Sequence, residues 1–312
     1  MSYSVRGFLN SVLRRSGKTL LVEGPSDKAT IQRLCIEASS VVAYSIDHAE
    51  VLGEEVSGLR NKERILKVRE EVAILSADFP RLIEILAILT DREWDGLSQD
   101  ERRLSETWCA PEQFDNNFTT LGHSIENYSF RKTHVIQFLK LNFSDILSPG
   151  MLRLVEESFP AILVSAACIS VIYQKEGLLR RAQNVLNSSS FVVRDGGFWL
   201  DESVAGILMD RGVSAYVADS VIAKTNQLVT EHLAALSVSE TLRWLPHGHA
   251  GEDAIWSCIA ACLKSTGVPE SACERIIGTV RSQGPKFFAH LISQDEREDV
   301  YPLRDVVDWL CA

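Results

Sequence analysis

The sequence lacks a CxxC pair, and its odd number of cysteines leaves one over from any pairing. Its seven cysteines are scattered over 312 residues, with no CxxC and no metal-ligand spacing among them. That argues against a zinc ribbon and a disulfide framework, and a reduced cytoplasmic protein is the simplest account. A basic excess is missing as well: 32 Lys and Arg face 42 Asp and Glu, for a net charge of −10. An extended basic surface for nucleic acid is therefore not expected, although a local basic groove stays open. Nor is there an apolar run long enough to span a bilayer. The longest, FPAILVSAACISVIY from Phe159 to Tyr173, carries two serines and reads as a buried helix, so no membrane is expected as a partner. The opening MSYSVRGFLNSVLRRSGK is too polar and interrupted for a signal peptide. Internal repeats, low-complexity tracts and long flexible linkers are absent too.

What the chain does have is hydrophobic content, 46%, enough for one large domain or two closely packed ones. Its first half alternates strand-like and helix-like segments. Thr19 to Val22 reads as a strand, and Ser26 as the N-cap of a helix to about Ala38, with Ile31, Leu34 and Cys35 on its apolar stripe. VVAYSI (Val41 to Ile46) reads as a second strand and LRNKERILKVREEVAIL as a helix. IEILAILT (Ile83 to Thr90) reads as a third strand, with a further one near Phe118 to Leu121. This order predicts an α/β fold with a mainly parallel sheet and right-handed crossovers. From about Arg131 the pattern is mostly helical, with a long helix expected from Met151 to Leu186. A hairpin is expected at FVVRDGGFWL, and helix breaks at LPHGHAGED and GVPES.

Carboxylates mark the strand ends. The first strand runs into Glu23, and the third into Asp91, Glu93 and Asp95 at alternate positions. In extended backbone such positions share one side, and three acids there repel unless a cation lies between them. Hard oxygen ligands at that density suit Mg²⁺ or Mn²⁺. In a sheet of order 2-1-3, strands one and three are neighbours at the switch point where ligands bind. Glu23 and the acid cluster are thus expected over one crevice, where metal-assisted phosphodiester cleavage is possible. The plainer alternative is an ordinary solvated turn at DREWDG.

LLVEGPSDK followed by ILTDREWDG resembles the Toprim domain of topoisomerases, primases and overcoming-lysogenization-defect (OLD) nucleases, over roughly residues 18 to 130. The resemblance implies a Toprim, Rossmann-like catalytic domain over residues 1–145. A mainly helical region, 146–312, would complete the fold and mediate dimer and partner contacts. It implies that Glu23, Asp91 and Glu93 are catalytic, and that these three with Asp95 hold the metal. Glu93 stands where an aspartate is usual. HSIENYSF, His123 to Phe130, is similar to a narrower group, the nuclease effectors (AriB family) of PARIS anti-phage systems. That similarity implies a toxic effector held inactive by an ABC-type ATPase, released by a phage trigger as a homodimer, and cutting host tRNA. The alternatives are a DNA nuclease of the OLD type, a non-catalytic adaptor of an ATPase complex, and primase-like nucleotidyl transfer.

Other residues carry two readings each. Asp27 opens the first helix as a cap or as a site acid, and Lys28 is solvated or touches a substrate phosphate. Glu126 is a metal ligand, an outer acid or a buried structural group beside Asn127 and Tyr128. His247 and His249 are active-site residues or part of a glycine-bearing turn, since a zinc site would need further ligands at recognisable spacing. Arg180 and Arg181 grip a nucleic-acid backbone or are a solvated helix face.

Overall fold

The structure, a computed structural model, describes residues 2–38, 42–53, 56, 58–96, 109–113, 115–234 and 240–312. Its elements are α1 (Val5–Leu13), β1 (Lys18–Val22), α2 (Pro25–Glu37), β2 (Tyr44–His48), α3 (Asn61–Leu75), α4 (Arg81–Ile85), β3 (Leu86–Thr90) and β4 (Asn117–Thr119). They continue with α5 (Lys132–Phe143), α6 (Pro149–Lys175), β5 (Phe191–Arg194), β6 (Gly197–Leu200), α7 (Ser203–Asp210), α8 (Ala215–Ala234), α9 (Gly248–Ser265), α10 (Glu270–Gln294) and α11 (Leu303–Cys311).

The chain forms two compact units that do not follow a boundary near 145. One holds residues 1–92, 110–125 and 285–312; the other holds 93–109 and 126–284. The C-terminal segment belongs to the first unit because α11 is strongly amphipathic. Its Leu303, Val306, Val307 and Leu310 are buried, at about 1.5–3 kcal/mol per side chain. Lys18 secures its end: the ammonium donates to the Trp309 carbonyl at 2.8 Å and sits 5.0 Å from the centre of the indole ring.

In the first unit, a four-stranded sheet of order β2-β1-β3-β4 has every pair parallel. The α/β expectation and the adjacency of strands one and three are both met. Central β1 is buried at every position after Lys18, as a strand covered on both faces must be. Leu21 and Ile88 meet Phe8, Leu9, Val12, Ile65, Val68 and Leu82 in the core. Some boundaries shift. The second strand starts at Tyr44, and Val41 lies outside the described residues. The third strand starts at Leu86, its first expected residues forming the helical turn α4. The first helix is capped at Gly24, not Ser26, because Pro25 fits its first position and Asp27 reaches back to accept the Gly24 amide at 2.7 Å.

The second unit is built on α6, whose segment from Ala161 to Tyr173 is buried throughout. Among the described residues α6 is the one helix long and apolar enough to cross a membrane, and 78% of its most apolar window is buried inside the protein. It ends at Lys175, short of the expected Leu186, where Gly177 takes a positive φ of 65°. Two of its buried serines bond carbonyls: Ser165 donates to Phe198 O at 2.9 Å and Ser170 to Ala166 O at 2.7 Å. The expected hairpin forms from β5 and β6, turning at Asp195 (φ 48°) and Gly196 (φ 74°), the geometry of a type I′ turn.

Gly197 and Gly206 behave oppositely. A Cβ at Gly197 would collide with Leu233 and lie 2.7 Å from the Trp199 ring, whereas one at Gly206, within α7, would meet nothing within 4 Å. Gly197→Ala is expected to destabilise the protein by about 1–3 kcal/mol, and Gly206→Ala to stabilise it by about 0.5–1 kcal/mol, both read from urea unfolding midpoints.

Candidate functional site

The register of the sheet brings the strand-end acids together. β1 and β3 pair as Thr19↔Leu86, Leu20↔Ala87 and Leu21↔Ile88, so both strands end at one edge of the sheet. There the Glu23 carboxylate accepts the backbone amide of Asp91 at 2.9 Å. Two residues 68 apart in sequence thus meet as the parallel topology requires. A charge-assisted bond of this kind contributes about 1.5–3 kcal/mol, and it fixes one carboxylate oxygen of Glu23. Both side chains are half-buried.

Two cations hold the loop after β3. From the first turn of α3, Lys62 donates to the carbonyls of Asp91 at 2.7 Å and Arg92 at 3.1 Å. Arg92 itself is 1% exposed. Its amide donates to the Thr120 hydroxyl at 2.9 Å and its guanidinium to Leu121 O at 3.2 Å, tying the loop to the exit of β4. Spacing alone gave no sign of Lys62 or Arg92, because both act through backbone carbonyls of residues remote in sequence.

Beyond Asp91 the expectation of alternating acids fails. The strand ends at Thr90, Glu93 adopts a positive φ of 54°, and residues 93–96 form a turn closed by Gly96 at φ 68°. Asp91, Glu93 and Asp95 therefore do not share a face through extended backbone, and Glu93 and Asp95 are counted with the second unit. Asp27 is buried as a helix cap, Lys28 is half-buried on the first turn of α2, and Arg180 and Arg181 are exposed beyond the end of α6 instead of on it. Arg181 donates to Gly212 O at 3.2 Å.

Among the described residues, no group of three or more His, Cys, Asp or Glu is placed to hold a metal ion. Magnesium does not demand such a cage. It keeps several waters and takes one or two carboxylates together with substrate phosphates. Glu23 and Asp91, hard oxygen donors with partial solvent access at the carboxyl edge of a parallel sheet, fit that mode of binding.

A second cluster lies in the second unit. In the 3₁₀ turn Ile125–Ser129, the buried Asn127 donates to Arg243 O at 2.8 Å and Pro246 O at 2.9 Å. Tyr128 packs edge-on against Trp244, 5.0 Å between ring centres. Asn127 and Tyr128 thus clamp the turn that leads into α9, and Glu126 comes to 3.8 Å from the His249 imidazole. Burial, the neighbouring His249 and, in opposition, the Glu126 charge leave His247 with its pKa lowered to about 4. Glu252, one turn into α9, is pushed up to about 8 by burial and by the charges of Glu126 and Asp253, with Arg281 opposing. Asp253 is itself paired with Arg281 at 2.8 Å. Glu252 was not among the expected site residues; its signal was the position one turn after the HGH segment on a helix facing inward. A carboxyl that keeps its proton near neutral pH is suited to acid–base work.

Linkage fixes the sign of the pH response. The folded pKa of Glu252 lies above the unfolded value, so its contribution to stability is full below about pH 4.5 and is lost as pH rises through about 8. Glu252→Gln should therefore raise the melting temperature progressively between pH 6 and 9, by a few degrees at the upper end, as differential scanning fluorimetry would read. Lys62→Met should lower any activity that depends on the Asp91 loop while leaving the melting temperature within a few degrees, and Lys62→Arg should recover part of it. Compared with models of known protein families and with curated proteins, the chain matches none.

Proposed function

We propose that the chain is a divalent-metal-dependent endonuclease of the Toprim type. It acts as the toxic effector of a PARIS-like anti-phage system, held inactive by an ABC-type ATPase and released as a dimer to cleave tRNA. The observation that carries this reading is the bond between the Glu23 carboxylate and the Asp91 amide at the carboxyl edge of neighbouring parallel strands. The family resemblance supplies the nuclease chemistry and the ATPase partner.

Bound at Glu23 and Asp91, Mg²⁺ or Mn²⁺ would supply charge stabilisation at a phosphate and an activated water. The chain's own residues do the positioning. The Asp91 amide orients Glu23, so that this carboxylate needs little reorganisation when substrate arrives. Lys62 and the buried Arg92 hold the Asp91 loop from two sides. In this reading the net charge of −10 keeps nucleic acid away from the free surface until dimerisation builds a local groove.

A second reading, a non-catalytic adaptor of an ATPase complex, is favoured by the absence of a three-ligand cluster among the described residues. One experiment separates the two. Purified protein, alone and with its ATPase and a phage trigger, is incubated with total tRNA and with plasmid DNA in Mg²⁺ or EDTA, beside Glu23→Gln. The nuclease reading expects metal-dependent tRNA cutting that falls about 10²–10⁴-fold in Glu23→Gln while the melting temperature falls by only a few degrees. Cutting of the plasmid alone would move the assignment to an OLD-type DNA nuclease. Full activity in Glu23→Gln, or no cutting even with ATPase and trigger present, would overturn it in favour of the adaptor.

A further inference from the structure

The segment that follows β4, from Thr120 to Asn127, is a buried loop. Connecting segments ordinarily run over the surface, because a buried one must satisfy its backbone polar groups inside the protein. Here residues 120–125 are all buried, and Thr120 and Asn127 are both 0% exposed. At the first end, the Thr120 hydroxyl accepts the Arg92 amide and donates to Gly122 O, both at 2.9 Å. The Arg92 guanidinium adds its bond to Leu121 O. Arg92 directly follows Asp91, whose own amide binds Glu23. The backbone that carries the Asp91 carboxyl is therefore held by Glu23 on one side and by the start of this loop on the other.

At the other end, both amide hydrogens of Asn127 are committed, to Arg243 O and Pro246 O. The turn that supplies those carbonyls is fixed from a second direction. The His247 amide donates to the Ser170 hydroxyl of α6 at 3.0 Å, and Gly251 sits so close that a Cβ there would lie 2.5 Å from the Pro246 side chain. Beside it the His249 side chain, 60% exposed, faces Glu126. The loop leaves the first unit at Ile125 and enters the second at Glu126. One buried stretch of eight residues is thus gripped by the Asp91 loop at its start and by the turn before α9 at its end.

We infer that residues 120–127 are a coupling strap, through which the turn before α9 sets the order of the Asp91 loop. An exposed loop absorbs a displacement by exchanging its bonds with water. A buried one has no water to exchange with, so letting go of either grip leaves polar groups unpaired. Thr120 is a positioning residue in this scheme: it acts on Asp91 through the Arg92 amide. Whatever engages the exposed side of the α9 turn changes the order of the acid edge, and a cation at the acid edge changes the order of the turn by the same factor. The regulatory meaning rests on reading Glu23 and Asp91 as a metal site, whereas the coupling itself does not. In that reading a partner bound to the second unit controls the acids without covering them.

The test is hydrogen exchange of the full chain read by mass spectrometry, with the Asp91 and Arg92 amides as reporters. Asn127→Ala removes the far grip. Ser129→Ala is the milder change, removing the hydroxyl bond to Glu126 O at 2.6 Å in the same turn. Both are expected to speed exchange in the peptide covering Thr90 to Arg92, by about tenfold in Asn127→Ala, while peptides of α2 keep the wild-type rate. Thr120→Val should speed the same amides, Thr120→Ser should restore them, and Asn127→Ala should add little in the Thr120→Val background. Faster exchange confined to residues 125–129 and 243–250, full additivity of the two changes, or one uniform acceleration in every peptide would each overturn the strap. Mn²⁺ is then added to the wild type. Slower exchange at both Thr90–Arg92 and the α9 turn supports the strap and the metal site together, and slower exchange at the acid edge alone overturns the strap. Coupling in the variants with no response to Mn²⁺ keeps the strap and removes the metal reading.

Discussion

The register between β1 and β3 is the constraint on which the candidate site depends. With Leu21 opposite Ile88 in a parallel pair, both strands must end at the same edge of the sheet, and the residues that follow them are forced into one small volume. A shift of a single residue in either strand would turn every side chain to the opposite face. Burial of Leu20, Leu21, Ala87 and Ile88 makes that shift expensive. The hydrophobic effect thus specifies where two acids sit, although neither acid contributes to it.

Electrostatics then decides how the edge is kept together. Placing acidic residues Glu23 and Asp91 at one edge is unfavourable for like charges, and backbone and side-chain donors hold that edge together. The Asp91 amide faces Glu23, the Lys62 ammonium faces two carbonyls of the same loop, and the buried Arg92 guanidinium donates to Leu121 O. The cluster around Glu252 uses another solution: burial and neighbouring acids keep one carboxyl protonated. The two units therefore treat acids differently, one carboxylate oriented by a backbone donor and another governed by burial and neighbouring charge.

Much of the architecture was legible because it rests on short-range patterns. Apolar runs ending in charged turns gave β1 and β3, the Asp195-Gly196 pair gave the hairpin, and the spacing of Glu23 and Asp91 about neighbouring strands gave their encounter. What escaped has long-range causes. That α11 belongs with the first unit follows from an apolar face meeting β1 and α2, and no local pattern carries that partner choice. The turn at Glu93 follows from a positive φ at a residue type that rarely adopts one. Lys62 and Glu252 gain their roles from carbonyls and carboxylates distant in sequence.

The return of residues 285–312 to the first unit has a consequence for synthesis on the ribosome. The second unit is nearly contiguous, from 126 to 284, and can assemble while the chain is still being made. The first unit cannot. Its sheet is complete by Thr119, but β1 and α2 lack the apolar cover of Val306, Val307 and Leu310 until residues 303–311 have been made. Both strand-end carboxylates therefore sit on the unit whose cover is made after the second unit is complete, so a chain interrupted before residue 303 would carry a finished helical unit and an uncovered sheet.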